Sequence, residues 1–119
     1  MQGIRGAITV ENDAKEEVLR AVQEMINTIL TENDITSEDV GAAIFSATDD
    51  IKSLFPAFAA RQLPGWDLVP LFDAQQLYIE NSIRKCIRVL LLVNTDKTQS
   101  QIRHVYLGRA AALRPDIKK

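Results

Sequence analysis

Apolar residues recur at two different spacings along the first third of the chain. From Gly3 to Val10 apolar or small side chains alternate with others, which is the period of a β-strand. Up to about Asn33 the apolar residues then return every three or four positions, which predicts an amphipathic helix. We expect Asn12 and Asp13 to cap the start of this helix. Its apolar stripe consists of Val18, Leu19, Val22, Met25, Ile26, Ile29 and Leu30.

Short apolar runs bounded by turn residues predict the remaining strands. Residues 87–95 form the clearest one, and they are apolar on both faces, which indicates a central position in the sheet. Thr48, Asp49 and Asp50 are expected to start a second helical segment, which Pro56 should break into short pieces. The other predicted strands are residues 41–46, 66–72 and 102–107, whereas residues 73–85 fit neither pattern.

These elements predict one α+β domain over residues 1–119, with a mixed sheet of four or five strands packed on one long helix. The composition, with 46% apolar and 25% charged residues, is typical of a globular protein. Because a short chain buries only part of its surface, we expect association with copies of itself to add stability. With one cysteine, and no stretch resembling a signal peptide or a membrane span, we expect a cytoplasmic protein.

The net charge of −2 gives no general attraction for nucleic acid, so an anionic ligand requires a local cluster of positive groups. Arg5 lies in an otherwise apolar or small-residue strand, and Arg88 opens the most hydrophobic one, on the same face as Leu90. Each arginine taken singly is best explained by an ion pair with one of the 16 acidic residues. Two of them at the ends of strands indicate a carboxylate-binding pocket, because guanidinium groups bind carboxylates bidentately.

Four segments together resemble one known family. They are GIRGAITVEND, SATDDIKSLFPAFAARQLPGW, CIRV and QIRHVYLGRAAALRPD, in order from Gly3 to Asp116. They are similar to the monofunctional bacterial chorismate mutases of the trimeric mixed α/β class. The resemblance implies an isomerase that converts chorismate to prephenate in aromatic amino-acid biosynthesis, without cofactor or metal. It also implies a ferredoxin-like arrangement and a homotrimeric pseudo-α/β-barrel with active sites between subunits.

The resemblance also assigns roles to individual residues. Arg88 is expected to donate to the ether oxygen and a carboxylate of chorismate, while Arg5 binds a carboxylate and Tyr106 adds a phenolic hydrogen bond. An adjacent chain is expected to supply Phe55, which forms an apolar wall, and Arg61. Arg61 lies at the mouth of the site together with Arg114, which comes from the same chain as Arg5, Arg88 and Tyr106.

The segment PLFDAQQLYIE departs from the family pattern at two site positions. Many relatives have a cysteine followed three residues later by a glutamate that faces the developing ring cation. This chain has Asp73 and Gln76 there. One interpretation is that the carboxylate has moved to Asp73, which leaves Gln76 as a neutral hydrogen-bonding partner, and we favour it. The other is that Asp73 only caps a turn. Phe58 also replaces a lysine near the entrance of some relatives.

Two other functions fit the same residues. The changes at Asp73 and Gln76 would suit a related enol-pyruvyl dianion such as isochorismate, and a non-catalytic trimeric binding protein could retain the fold. The joint presence of Arg5, Arg88 and Tyr106 argues against the non-catalytic alternative. The single histidine, His104, and Cys86 have no metal-ligand spacing, so we expect both to be structural.

Overall fold

The computed structural model describes residues 1–113, which form an α+β domain with a mixed sheet and two helices. Short 3₁₀ turns connect several of its elements. In chain order the strands and helices are β1 (Gln2–Thr9), α1 (Lys15–Asn33), β2 (Val40–Ala47), α2 (Pro56–Arg61), β3 (Leu71–Gln75), β4 (Cys86–Val93) and β5 (Val105–Tyr106).

The five strands form one sheet in the order β3-β2-β4-β1-β5. The pairs of β4 with β1 and with β2 are antiparallel, while β1–β5 and β2–β3 are parallel. The strand predicted to be central, β4, is in the middle of the sheet, which confirms that prediction. Strands β2 and β1 flank it, and its successive side chains point to opposite faces of the sheet.

Helix α1 covers one face of this sheet. Its predicted apolar stripe is buried: Met25, Ile26 and Ile29 have no solvent exposure, and they pack with Phe45, Leu91 and other residues of the sheet. Burial of such large side chains is the main source of stability in a domain of this size. The short helix α2 packs beside α1, where the Gln23 amide donates to the Ala59 carbonyl at 3.1 Å. Within the described residues, neither helix has the length and apolar content required to cross a membrane.

The other face of the sheet is left open by the helices. Strand alternation places Arg5, Arg88 and Leu90 there, together with Ile44 and the Phe72 side chain next to it on β3. Ile44 is 39% exposed and Phe72 is 65% exposed, so the open face presents apolar surface as well as charge. A contiguous apolar patch on a soluble domain marks a binding or assembly surface.

Two predictions of helix starts are wrong. Residue Ala14 precedes α1 without a side-chain cap, because the Asp13 carboxylate instead accepts hydrogen bonds from the backbone N–H groups of Lys52 and Ser53. No helix starts at residues 48–50 either. Asp50 accepts from the Thr48 hydroxyl and from the Lys85 N–H, so these polar groups connect two loops rather than cap a helix.

Two predicted strands have other bounds than expected, and β3 also continues to Gln75, beyond the predicted end at Phe72. Residues 66–72 begin with a 3₁₀ turn, and β3 starts only at Leu71, after Pro70, which has no N–H to donate to a strand. In the segment 102–107 only Val105–Tyr106 is a strand. The buried Asn33 side chain accepts from the Arg103 N–H at 2.8 Å and donates to its carbonyl at 2.9 Å, which replaces strand pairing there.

Candidate active site

Arg88 lies at the middle of a row of side chains that crosses the open face. It is paired with Ala7 on one side and with Ser46 on the other, and Ala7 is in turn paired with Tyr106. Residues paired in this way point to the same face of a sheet. Arg88 therefore has a small side chain on each side of it in the row, Ala7 and Ser46.

Tyr106 ends this row, and Arg5 lies next to the row on β1. Arg5 is paired with Leu90, so it is a diagonal neighbour of Arg88, and such neighbours have Cβ atoms roughly 7–8 Å apart. Both side chains are long enough for a small dianion to contact the two of them at once. Tyr106 is 6% exposed and packs with Ala7 and Cys86, and Ala7 lies between it and Arg88. The structure thus places Arg5, Arg88 and Tyr106 on one face.

The electrostatics of this face favour an anionic ligand. Within residues 1–113 neither Arg5 nor Arg88 forms an ion pair, and the buried Nε of Arg88 has no hydrogen-bond acceptor. A buried donor without an acceptor is costly, so a bound carboxylate would remove that cost. Burial raises the pKa of the Cys86 thiol, despite the opposing effect of the Arg88 charge and its hydrogen bond, so the thiol stays neutral.

Gln76 follows directly after β3. Its N–H donates to the Ala47 carbonyl at 3.1 Å, which extends the pairing of β3 with β2 by one residue. Its side-chain Oε1 is buried and has no donor among the described residues. Gln76 therefore presents a neutral acceptor that is free to bind a hydroxyl group.

Asp73 lies on the opposite face from Arg88. It is paired with the fully buried Phe45, and its Oδ1 accepts a hydrogen bond from the Ala57 N–H at 3.0 Å. Burial raises the pKa of Asp73, although the hydrogen bond from Ala57 and the charge of Arg61 act in the opposite direction. Within one chain this is the capping contact, the interpretation that we favoured less, and the carboxylate does not share a face with Arg88.

Phe55 and Arg61 lie at the two ends of α2, away from the arginine face. Phe55 is 72% exposed, as expected of a side chain that contacts another molecule, and Arg61 is also exposed. A groove of about 610 Å³ is lined by Phe55, Phe58 and Asp73, and its lining does not include Arg5, Arg88 or Tyr106. The two halves of the predicted site are therefore separate in one chain. Arg114 lies outside the described residues.

Sequence reasoning did not assign three neighbours of the arginines to the site. Ser46 borders Arg88 through its position on β2, and Cys86 lies two residues before Arg88 on β4, on the same face. His104 accepts a hydrogen bond from the Arg5 N–H through Nδ1 at 3.0 Å, which fits its predicted structural role. Alternation along β2 and β4 was the available signal for Ser46 and Cys86, once the pairing of the two strands is known.

An α+β fold carries two arginines on an open sheet face, and neither forms an ion pair within residues 1–113, which favours an anionic ligand. A comparison with known families makes the class specific. The family model of chorismate mutase type I matches residues 1–117. The chain therefore belongs to the type I chorismate mutase family.

Individual proteins agree with this assignment along nearly the whole chain. Chorismate mutase AroH of Bacillus subtilis (strain 168) is 45% identical over 117 residues, which cover 98% of this chain and 92% of that protein. Chorismate mutase AroH of Thermus thermophilus is 47% identical over 119 residues, covering 99% and 97%. The structure of a chorismate mutase from Clostridium thermocellum superposes with a TM-score of 0.91 at 36% identity, covering 94% of this chain and 99% of that one.

Proposed function

We propose that this protein is an isomerase that rearranges chorismate to prephenate, a step of phenylalanine and tyrosine biosynthesis. Membership of the type I family supports the reaction. The observation that carries the proposal is Arg88, which shares a sheet face with Tyr106, lies diagonal to Arg5 and has no acidic partner in residues 1–113. Two guanidinium groups on one face suit a ligand with two carboxylates.

The reaction is a sigmatropic rearrangement through a compact chair. As the carbon–oxygen bond breaks, negative charge develops on the ether oxygen and positive character on the ring. No proton moves and no nucleophile is required, so catalysis consists of holding the compact conformer and stabilising the charge separation. In this proposal Arg88 donates to the ether oxygen and one carboxylate. Arg5 and Tyr106 bind a carboxylate, and no metal or cofactor takes part.

Residues of a neighbouring subunit complete the proposed site. We propose a homotrimer in which Phe55 and Arg61 of one chain reach the arginine face of the next, with Arg114 at the mouth. The separation of α2 from the arginine face within one chain supports this, as does the exposed apolar surface around Ile44. A pseudo-barrel in which the open faces meet would bury that surface. The proposed location of the trimer is the cytoplasm.

Gln76 and Asp73 have different roles in the proposed site. The Oε1 of Gln76 has no donor within residues 1–113, which supports a role as an acceptor for the substrate hydroxyl. A charge from Asp73 would have to come from a neighbouring subunit, because in its own chain the carboxylate is on the other face and bound to Ala57. The neutral Gln76 favours isochorismate as a second candidate substrate, since it removes the negative charge expected near the ring.

The proposal is tested by following the loss of chorismate absorbance and identifying the product. We expect prephenate without added metal or nucleotide, and we expect Arg88→Ala to lower kcat by roughly 100- to 1,000-fold, as for the loss of one oxyanion donor. Arg103→Ala removes an exposed arginine outside the site and should leave the rate unchanged. A wild-type protein that produces no prephenate above the uncatalysed background would refute the proposal. Product from isochorismate alone would establish the second candidate.

A further inference from the structure

The short helix α2 cannot satisfy its own N-terminal hydrogen bonds. Pro56 has no N–H, and the N–H groups of Phe58 and Ala59 both donate to the Phe55 carbonyl, at 3.0 and 3.3 Å. The Ala57 N–H is the remaining donor of the first turn and has no acceptor within α2, and Ala57 is only 5% exposed. A buried N–H without an acceptor destabilises a structure, and a six-residue helix has little stability of its own.

Asp73 supplies the missing acceptor from another element. Its Oδ1 accepts from the Ala57 N–H at 3.0 Å, and its backbone belongs to β3, paired with Phe45 in the core. The carboxylate therefore fixes the first turn of α2 to the sheet. At the other end of α2, the Gln23 amide of α1 donates to the Ala59 carbonyl, so α2 is held at both ends.

The same helix carries the residues proposed to reach a neighbouring subunit. Phe55 immediately precedes α2 and Arg61 is its last residue. The Asp73 carboxylate also attracts the Arg61 guanidinium group. A change at Asp73 would consequently move both side chains without touching Arg5, Arg88 or Tyr106.

We infer that Asp73 is a positioning residue, which holds α2 so that Phe55 and Arg61 bind the substrate in the adjacent subunit's site. This inference rests on the proposed function. In it, the Asp73 carboxylate positions α2 and does not supply a negative charge to the ring of the substrate. The acceptor oxygen matters for this role, and the negative charge matters much less, because an amide oxygen accepts the same hydrogen bond. A thiol at this position is a weak acceptor and would hold the helix less well.

Three variants separate the two roles of Asp73. Asp73→Asn keeps the acceptor and removes the charge, so kcat and KM for chorismate should stay within roughly threefold of wild type. Asp73→Ala removes the acceptor, so KM should rise by roughly 5- to 20-fold while kcat changes by less than about twofold. Asp67→Ala, which removes an exposed acidic residue near α2, is the matched control and should change neither. If Asp73→Ala does not fold, Asp73→Ser, whose hydroxyl is too short to reach Ala57, takes its place with the same expectation.

A second measurement does not depend on activity. Amide hydrogen exchange at Ala57 should accelerate by roughly tenfold in Asp73→Ala and remain slow in Asp73→Asn. Unchanged exchange and unchanged KM in Asp73→Ala would overturn the inference, and so would a fall in kcat of roughly 100-fold in Asp73→Asn, which is the result expected of a charge facing the ring. If the wild-type protein produces no prephenate, the proposed function fails, whereas the exchange experiment still decides whether Asp73 holds α2.

Discussion

Gly6 lies where β1 passes under α1, and the space there is too small for a side chain. A Cβ atom would be 2.7 Å from Cδ1 of Ile29 and 3.2 Å from both Met25 Cγ and Val89 Cγ1. All three are side-chain atoms of the core, so they would have to move together. Overpacking of a dense core is destabilising even when the added group is one methyl.

We therefore expect Gly6→Ala to lower the free energy of unfolding by about 1–3 kcal/mol. Urea denaturation followed by circular dichroism measures it. Gly41→Ala is the matched control, because a Cβ there would be 3.5 Å from the nearest atom, the Leu92 carbonyl oxygen, which is an ordinary contact. Equal stability of the two variants would contradict the steric argument.

At the scale of residues, the sequence predicted which face of the sheet a side chain occupies, but not which residues form ion pairs or hydrogen bonds with it. The alternation of β1 and β4 correctly placed Arg5 and Arg88 in a sheet and Arg88 on the face of Leu90. Whether Arg88 has an acidic partner depends on the folding of distant loops, which no local pattern encodes. The same is true of Asp73, whose acceptor role depends on a helix that lies 16 residues earlier in the chain.

At the scale of elements, one polar cluster joins the end of β2 to the start of β4. The Asp50 carboxylate accepts from the Lys85 N–H at 3.0 Å and from the Thr48 hydroxyl at 2.5 Å, and Arg84 forms ion pairs with Asp49 and Asp50. Partial burial acts to raise the pKa of Asp50, but the hydrogen bonds and the Arg84 charge outweigh it and hold that pKa below its ordinary value.

This lowered pKa predicts an acid-dependent loss of stability. The contribution of Asp50 is fully present above the unfolded-state pKa of about 4 and is lost as the pH falls through the lower folded-state pKa. Asp50→Asn should therefore unfold more easily at pH 7, by about 1–3 kcal/mol, with a smaller difference from wild type near pH 2. Denaturation at both pH values measures this. The exposed Asp67→Asn is the control, and a constant difference between variant and wild type would contradict the assignment.

The bounds of the strands and helices show where the local spacing of apolar residues is not sufficient to predict the structure. Apolar periodicity correctly predicted α1 to its end at Asn33 and β4 at the centre of the sheet. It overestimated the strand at residues 102–107, because the side chain of Asn33 binds the backbone of Arg103 where a strand would otherwise pair. The capping residues at 48–50 likewise predicted a helix start, but Thr48 and Asp50 bind backbone N–H groups at the start of β4 instead. In both places a polar side chain satisfies backbone groups far away in the sequence.

At the scale of the whole molecule, the proposed trimer would form through the open face of the sheet. Ile44 on β2 is paired with Leu90 on β4 and with Phe72 on β3, and all three are exposed in one chain. A charged residue in the middle of this apolar patch would be buried without a partner in the proposed trimer. Such a burial costs far more than the contacts of one side chain contribute.

Ile44→Lys should consequently dissociate the proposed trimer without unfolding the chain. Light scattering after size-exclusion chromatography should give about three times the 13.3 kDa chain mass for wild type and about one chain mass for the variant. Leu68→Lys, at a residue that is 85% exposed on a turn, is the control and should keep the wild-type mass. Because the separated chain lacks its neighbour's Phe55 and Arg61, kcat/KM for chorismate should fall by at least about 100-fold. A fully active single chain would show instead that Arg5, Arg88 and Tyr106 work without a neighbouring subunit, and that the exposed apolar surface serves another purpose.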